Sequence, residues 1–362
     1  MDGTNGTGDR AVSPDPEEGG QGGQGGHDGR PGAPLIRCDA APLPSGAAAR
    51  FLAAPDGARL RVVRYPLAAG RTQRGSVLVV PGWSEFAEKY CEVAGDLHAR
   101  GLDVMVCDPR GQGYSQRLDG DDRRGHIDDF RVFVSDLTAC YAHARQVMDG
   151  PFFLLAHSMG GLITLEWLAE GHGRDLAGAA LSAPFTNLYA SPLRTMVVKA
   201  VLGAGRLLGR GERPIPGVRE HSWQFDGNVL TQDARRHERF RQLQLTAPDA
   251  VAGLPRYDWL AAALAAHERL KRPGALAGVP FPVLLASATR DETVDHTDHE
   301  RLARDYPDAI RLVTIEGARH EILMEADGWR SQFWDAFDQY IDERLSPVPA
   351  PESSASSSAP RT

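Results

Sequence analysis

Apolar positions along this chain follow two rhythms in turn. Residues 58–65 alternate polar and apolar side chains, the pattern of a half-exposed strand. Residues 51–54 face them across Pro55-Asp56-Gly57, so the two stretches predict a hairpin. Residues 76–80 (Ser-Val-Leu-Val-Val), 103–107 (Asp-Val-Met-Val-Cys) and 152–156 (Phe-Phe-Leu-Leu-Ala) are short apolar runs without alternation. Such runs read as inner parallel strands covered on both faces. Residues 177–182, 282–287 and 310–315 add three more strands. Helical periodicity lies between them, over 88–100, 128–148, 162–168 and 328–344. In 128–148, Phe130, Phe133, Val134, Leu137, Tyr141, Ala144 and Met148 share one face, with Asp128 placed to cap the first turn.

Strands alternating with helices predict an α/β chain built on a mostly parallel, doubly wound sheet, with ligands beyond the carboxyl ends of its strands. The alternation stops over 185–278, where helical patches occur but no convincing buried strand. That segment leaves and rejoins the core between two strands, so it is expected to be a helical cap inserted after the sixth strand. The core is then expected over 47–184 and 279–345. Two apolar helices in the cap, 195–202 and 259–266, leave two readings open: plain cap core, or a surface that admits an acyl chain.

Composition adds the ends and removes some partners. Residues 1–46, with Gly-Gly-Gln-Gly-Gly-Gln-Gly-Gly over 19–26, bury too little apolar surface to order themselves and are expected to be a disordered tail. Residues 346–362, rich in Pro, Ser and Ala, read as a second one. The N-terminal stretch lacks an apolar run after a basic start, so no signal peptide is expected. No apolar run reaches the ~18 residues of a membrane span. A cytoplasmic chain is the expectation, with peripheral contact of the cap at the inner membrane face as the variant of it. Forty Lys and Arg against 48 Asp and Glu give a net charge of -8, without the basic stripe that nucleic acid requires. Cys38, Cys91, Cys107 and Cys140 show neither metal spacing nor C-x-x-C and are expected as free thiols. Oligomeric state stays open.

The chemistry centres on His157-Ser158-Met159-Gly160-Gly161, directly after the 152–156 strand and before the 162–168 helix. Strand, serine and helix with almost no loop form a nucleophile elbow, a strained turn that lifts the hydroxyl clear of the sheet. Small residues are needed two before and two after the serine; Ala156 and Gly160 hold those places, Ala standing where G-x-S-x-G has Gly. Asp291 follows the 282–287 strand and His320 follows the 310–315 strand, giving the order Ser, Asp, His. Asp295 is a rival carboxylate, farther from the strand end. His320 is expected to take the Ser158 proton, and Asp291 to hold the imidazole. Backbone N–H groups of Met159 and Trp83 are the candidate oxyanion donors. His157 reads as structural, and Asp108, Arg110 and the glycines through Gly113 as fixing a loop beneath the site.

Several motifs together resemble one family over about residues 51–345. They are Pro-Gly-Trp-Ser-Glu-Phe-Ala-Glu-Lys-Tyr (81–90), Asp-Pro-Arg-Gly-Gln-Gly-Tyr-Ser (108–115), Gly-His-Ile-Asp-Asp-Phe (125–130), His-Ser-Met-Gly-Gly (157–161), Leu-Ser-Ala-Pro (181–184), Asn-Val-Leu-Thr-Gln-Asp (228–233) and Gly-Ala-Arg-His-Glu-Ile-Leu-Met-Glu (317–325). The family is the lysophospholipase and monoacylglycerol lipase branch of the α/β-hydrolases. The cap motif and the last one resemble bacterial lysophospholipases of the L2 type more than animal monoacylglycerol lipases. Pro81-Gly82 stands where the family usually has His-Gly. The resemblance implies the α/β-hydrolase fold, a Ser158–Asp291–His320 triad, oxyanion donors at Trp83 and Met159, and hydrolysis of esters of single-chain lipids without metal or cofactor. An amidase or peptidase of the same fold, and a binding protein that has lost turnover, are the alternatives.

Overall fold

The computed structural model describes residues 32–117, 127, 129–188, 192–215 and 224–346. Eight strands form one sheet in the order β1-β2-β4-β3-β5-β6-β7-β8. They are β1 (Ala48–Ala53), β2 (Arg59–Tyr65), β3 (Gly75–Val80), β4 (Leu102–Cys107), β5 (Phe152–His157), β6 (Gly178–Ser182), β7 (Val283–Ala288) and β8 (Ile310–Ile315). The hairpin β1–β2 and the β2–β4 pair are antiparallel, and every later pairing is parallel. This is the mostly parallel sheet that the apolar runs predict.

Side chains alternate between the two faces of each strand. Leu78 and Val80 of β3 and Leu154 and Ala156 of β5 enter one core, with α2 (Arg131–Val147), α3 (Met159–Ala169) and Leu302 of α7 (His296–Asp305). Val77, Val79, Phe153 and Leu155 enter the other, against α1 (Cys91–Ala99) and α8 (Asp327–Leu345). Phe130 stands at the N-cap of α2. Asp128, expected there, lies outside the described residues, as do Gly125 and His126 of the same motif.

Among the described residues, three α-helices occupy the chain between β6 and β7: α4 (Pro192–Leu207), α5 (Ala234–Thr246) and α6 (Tyr257–Leu270). The base of α5 is fastened to the core. Arg236, nearly fully buried, pairs with Glu92 at 2.8 Å and with Asp327 at 2.7 Å, and Thr231 Oγ1 donates to the Met324 carbonyl at 2.8 Å.

One expectation needs correction. The disordered tail expected over residues 1–46 does not hold for its last part, because the chain around Pro34 to Ala41 packs on the core. Ile36 and Ala41 are buried with Phe86, Leu243, Ala247 and Ala250. The Ile36 N–H donates to Glu88 Oε1 at 2.9 Å, and Arg61 Nη1 donates to the Pro34 carbonyl at 3.3 Å. Composition averaged over the whole stretch hid the apolar Pro34-Leu35-Ile36 that anchors it. The Gly-rich run 19–26 and residues 347–362 lie outside the described residues. All four cysteines are free, and three of them are buried.

Candidate active site

β5 delivers Ser158 to the carboxyl edge of the sheet in a backbone conformation, φ 49° and ψ −114°, that a residue with a Cβ rarely adopts. Contacts on both sides enforce it. The Ser158 N–H donates to the Ser182 carbonyl at 3.1 Å, and its own carbonyl accepts from Gly161 at 2.9 Å and Phe185 at 2.8 Å. A Cβ on Gly160 would stand 2.1 Å from the Val80 carbonyl oxygen, and one on Gly161 2.5 Å from the Pro184 Cβ, so both positions require glycine. Ala156 is fully buried between Val80 and Leu181 of the neighbouring strands.

The structure brings the three widely separated residues together. His320 Nε2 lies 3.0 Å from Ser158 Oγ, and His320 Nδ1 lies 2.6 Å from Asp291 Oδ2. With its proton on Nδ1, the imidazole presents Nε2 as an acceptor to the serine hydroxyl. Asp291 Oδ1 accepts from the Thr293 and Val294 N–H groups at 2.7 and 2.8 Å, which fixes the carboxylate plane. Burial alone would raise the Asp291 pKa, but His320 and these hydrogen bonds outweigh it and hold the group below its ordinary value. For His320, burial opposes the charge, and the Asp291 carboxylate more than compensates, leaving the imidazole above its ordinary value. The rival Asp295 serves elsewhere. It caps α7, accepting from the Thr297 N–H at 3.1 Å and the Thr297 hydroxyl at 2.7 Å.

Trp83 and Met159 both line the cavity above Ser158. Among the described residues neither backbone N–H has a hydrogen-bond partner, which leaves both able to serve an incoming oxygen. The Trp83 ring packs on Trp259 of α6 with centroids 4.4 Å apart.

Sequence reasoning missed what holds the Trp83 loop. Glu85 Oε2 accepts from the Gly82 N–H and from the Tyr90 hydroxyl, each at 2.6 Å. Lys89 Nζ bridges Glu85 Oε1 and Glu321 Oε1, again at 2.6 Å each. Burial works against both charges, yet Lys89 keeps Glu85 low and the two carboxylates keep Lys89 high. This buried cluster ties the loop after β3 to the residue next to His320. Glu85, His157 and Glu321 offer ligand atoms within 4.8 Å of one another, and the Lys89 ammonium already supplies the positive charge they share. His157 Nδ1 donates to the Ser182 carbonyl at 3.0 Å, and burial, only partly offset by Glu85, lowers its pKa. Below the site Asp108 is buried, paired with Arg61 at 2.9 Å and accepting from the Ala87 N–H at 2.8 Å. Arg110 pairs with Asp136 and Asp56, each at 2.5 Å, so these residues brace the loop.

A second serine–histidine contact, Ser287 Oγ to His299 Nδ1 at 2.8 Å, is fully buried and ends on the Pro184 carbonyl, 2.8 Å from His299 Nε2. Neither side chain reaches the cavity lining, so the contact pins strand ends and takes no part in the site.

The cavity over Ser158 measures about 440 Å³. Phe185, Leu188, Ile215, Leu230, Val251, Leu254 and Leu260 make much of its wall apolar, and all of these come from the segment between β6 and β7. A serine hydroxyl hydrogen-bonded to an imidazole, at the end of a largely apolar cavity, has the groups that acyl transfer from an apolar chain needs.

A profile of the family described as serine aminopeptidase S33 (Hydrolase_4) matches residues 71–327. The probable lysophospholipase L2 of Haemophilus influenzae is 31% identical over 278 residues, covering 74% of this chain and 84% of that protein. Lysophospholipase L2 of Escherichia coli K12 is 32% identical over 293 residues, covering 75% and 81%. In fold, the chain is similar to the crystal structure of a soluble variant of monoglyceride lipase from Saccharomyces cerevisiae in complex with a substrate analog. The TM-score is 0.64 at 22% identity, covering 83% of this chain and 97% of that one. The chain belongs to the Hydrolase_4 family of the α/β-hydrolases, in its lysophospholipase and monoacylglycerol lipase branch.

Proposed function

We propose that this protein is a serine hydrolase that cleaves carboxylic esters of single-chain lipids through an acyl-enzyme on Ser158. The observation that carries the reading is the unbroken hydrogen-bonded chain Ser158–His320–Asp291 beneath an apolar cavity. Ser158 Oγ attacks the ester carbonyl while its proton passes to His320 Nε2, and Asp291 stabilises the imidazolium that forms. Trp83 and Met159 N–H groups receive the developing oxyanion, each worth roughly 10²–10³ in rate. Collapse expels the alcohol, which takes the proton back from His320. Water, deprotonated by the same imidazole, then releases the fatty acid.

The description of the family as serine aminopeptidases favours a second reading, amide or peptide cleavage by the same groups. Matched p-nitrophenyl esters and anilides of increasing chain length separate the two. The ester reading expects turnover to rise with acyl length on the ester series. Faster turnover of the anilides, or a preference for acetyl over longer acyl groups, would sink it. A folded protein that a fluorophosphonate probe never labels would instead be a binding protein without turnover.

The raised His320 pKa gives a pH dependence of definite sign. The imidazole acts as a base only when neutral, so kcat/KM on an uncharged ester should rise with pH through an ionisation above the ordinary histidine value of about 6.5. A flat profile across that range would remove His320 from the base role.

Among the described residues no helix is long and apolar enough to cross a membrane. We propose that α4 brings the enzyme to a lipid surface instead. Leu193, Met196, Val197 and Leu207 are 66%, 61%, 53% and 90% exposed, at spacings that share one helical face. Arg194, Lys199 and Arg206 accompany them, and α4 carries no acidic residue. An apolar stripe with basic neighbours is the composition of a helix that lies in the lipid interface. Co-sedimentation with anionic vesicles checks this. The double substitution Met196→Ser with Val197→Ser is expected to weaken partitioning about tenfold or more, from the apolar area withdrawn. Equal binding of the variant and the parent chain would exclude α4 as the contact.

A further inference from the structure

Away from its floor, the cavity wall turns polar along one face of α5. His237, Arg241 and Gln244 follow one another there at helical spacing. Arg241 is the sole lysine or arginine among the described residues that line the cavity. Its Nε and Nη2 each lie 2.7 Å from the carboxylate of Glu238, which Gln242 Nε2 also reaches at 2.7 Å. Glu238 lies outside the cavity lining, with its side chain 50% exposed. A pair so open to solvent is screened and exchanges readily. The guanidinium fork that fits a carboxylate fits a phosphate equally, with two parallel hydrogen bonds. The glycerol head of a neutral lipid offers no anion for it.

Resting on the ester-hydrolase reading of the same cavity, we infer that α5 carries a head-group subsite for a phosphodiester. Arg241 leaves Glu238 for the phosphodiester of a single-chain lipid ester, with His237 and Gln244 as further donors beside it. Binding there makes and breaks no covalent bond. It orients the substrate, with the acyl chain along the apolar wall and the ester over Ser158. The subsite therefore acts on discrimination between lipids of one acyl chain and different heads.

The test is the ratio of kcat/KM for a lysophosphatidylethanolamine to that for a monoacylglycerol of the same acyl chain, both held below micelle-forming concentration. Arg241→Gln is expected to lower this ratio about tenfold or more, because it removes a charge-assisted bidentate contact available to one head group only. Glu238→Gln, which frees the guanidinium, is expected to raise it. The subsite stands if both variants move in these directions, and any other pair of results overturns it. Because the two changes are opposite in sign, a general loss of folding cannot imitate them. A parent chain that turns over neither lipid, yet is labelled by a fluorophosphonate, would sink the lipid reading beneath the subsite, and that result is distinguishable from the ratio.

Discussion

Ser158→Ala is expected to lower kcat by about 10⁶ on any ester the protein cleaves, and to abolish labelling by a fluorophosphonate. The size follows from what the hydroxyl does and from how little can replace it. In this turn the side chain at position 158 lies 3.0 Å from His320 Nε2, and the nearby charges of Glu85, Lys89 and Glu321 are committed to one another. Alanine leaves the imidazole without a proton to accept, and the remaining oxyanion donors can only assist water. The methyl group fits the same backbone, so the variant should fold, and circular dichroism with a melting curve checks that it does. A variant that keeps more than about a thousandth of the parent kcat would mean that another group is the nucleophile.

Asp291→Asn is expected to cost about 10⁴ in kcat with the fold intact. The carboxylate is held in place by two backbone N–H groups on Oδ1, so the amide can occupy the same position. Its NH₂, however, cannot accept from Nδ1, and the imidazole turns to the wrong tautomer or loses its partner. The acidic limb of the pH profile should also move down, since the charge that raises the His320 pKa is gone. Asp295→Asn supplies the contrast. Asn is itself a good helix cap, so that change should leave kcat within a few-fold of the parent. The reverse pattern, with collapse at Asp295 and little effect at Asp291, would assign the acid to the other carboxylate.

Strands were the most legible part of this sequence, because burial on both faces leaves runs such as Phe152-Phe153-Leu154-Leu155 that few other structures accommodate. The helices α5 and α7 were not, and the reason is physical. On α5 only Arg236 and Leu243 are buried, and Arg236 is buried because Glu92 and Asp327 meet it from distant parts of the chain. On α7 the first clear mark is Asp295, which looks from sequence alone like a second candidate acid and in space is a helix cap. The elbow could be found from its local spacing. The Glu85–Lys89–Glu321 cluster could not, since Lys89 and Glu321 are 232 positions apart and no pattern along the chain links them. Pro34-Leu35-Ile36 was lost for the opposite reason, its signal diluted by the glycines before it.

The left-handed backbone at Ser158 has a consequence for how this protein can adapt. Holding a residue with a Cβ there withholds on the order of 1–3 kcal/mol from a fold whose whole margin is about 5–15. Glycine would relax the strain and lose the hydroxyl. Adaptation to heat must therefore come from elsewhere in the molecule, because at this position endurance and turnover ask for different amino acids.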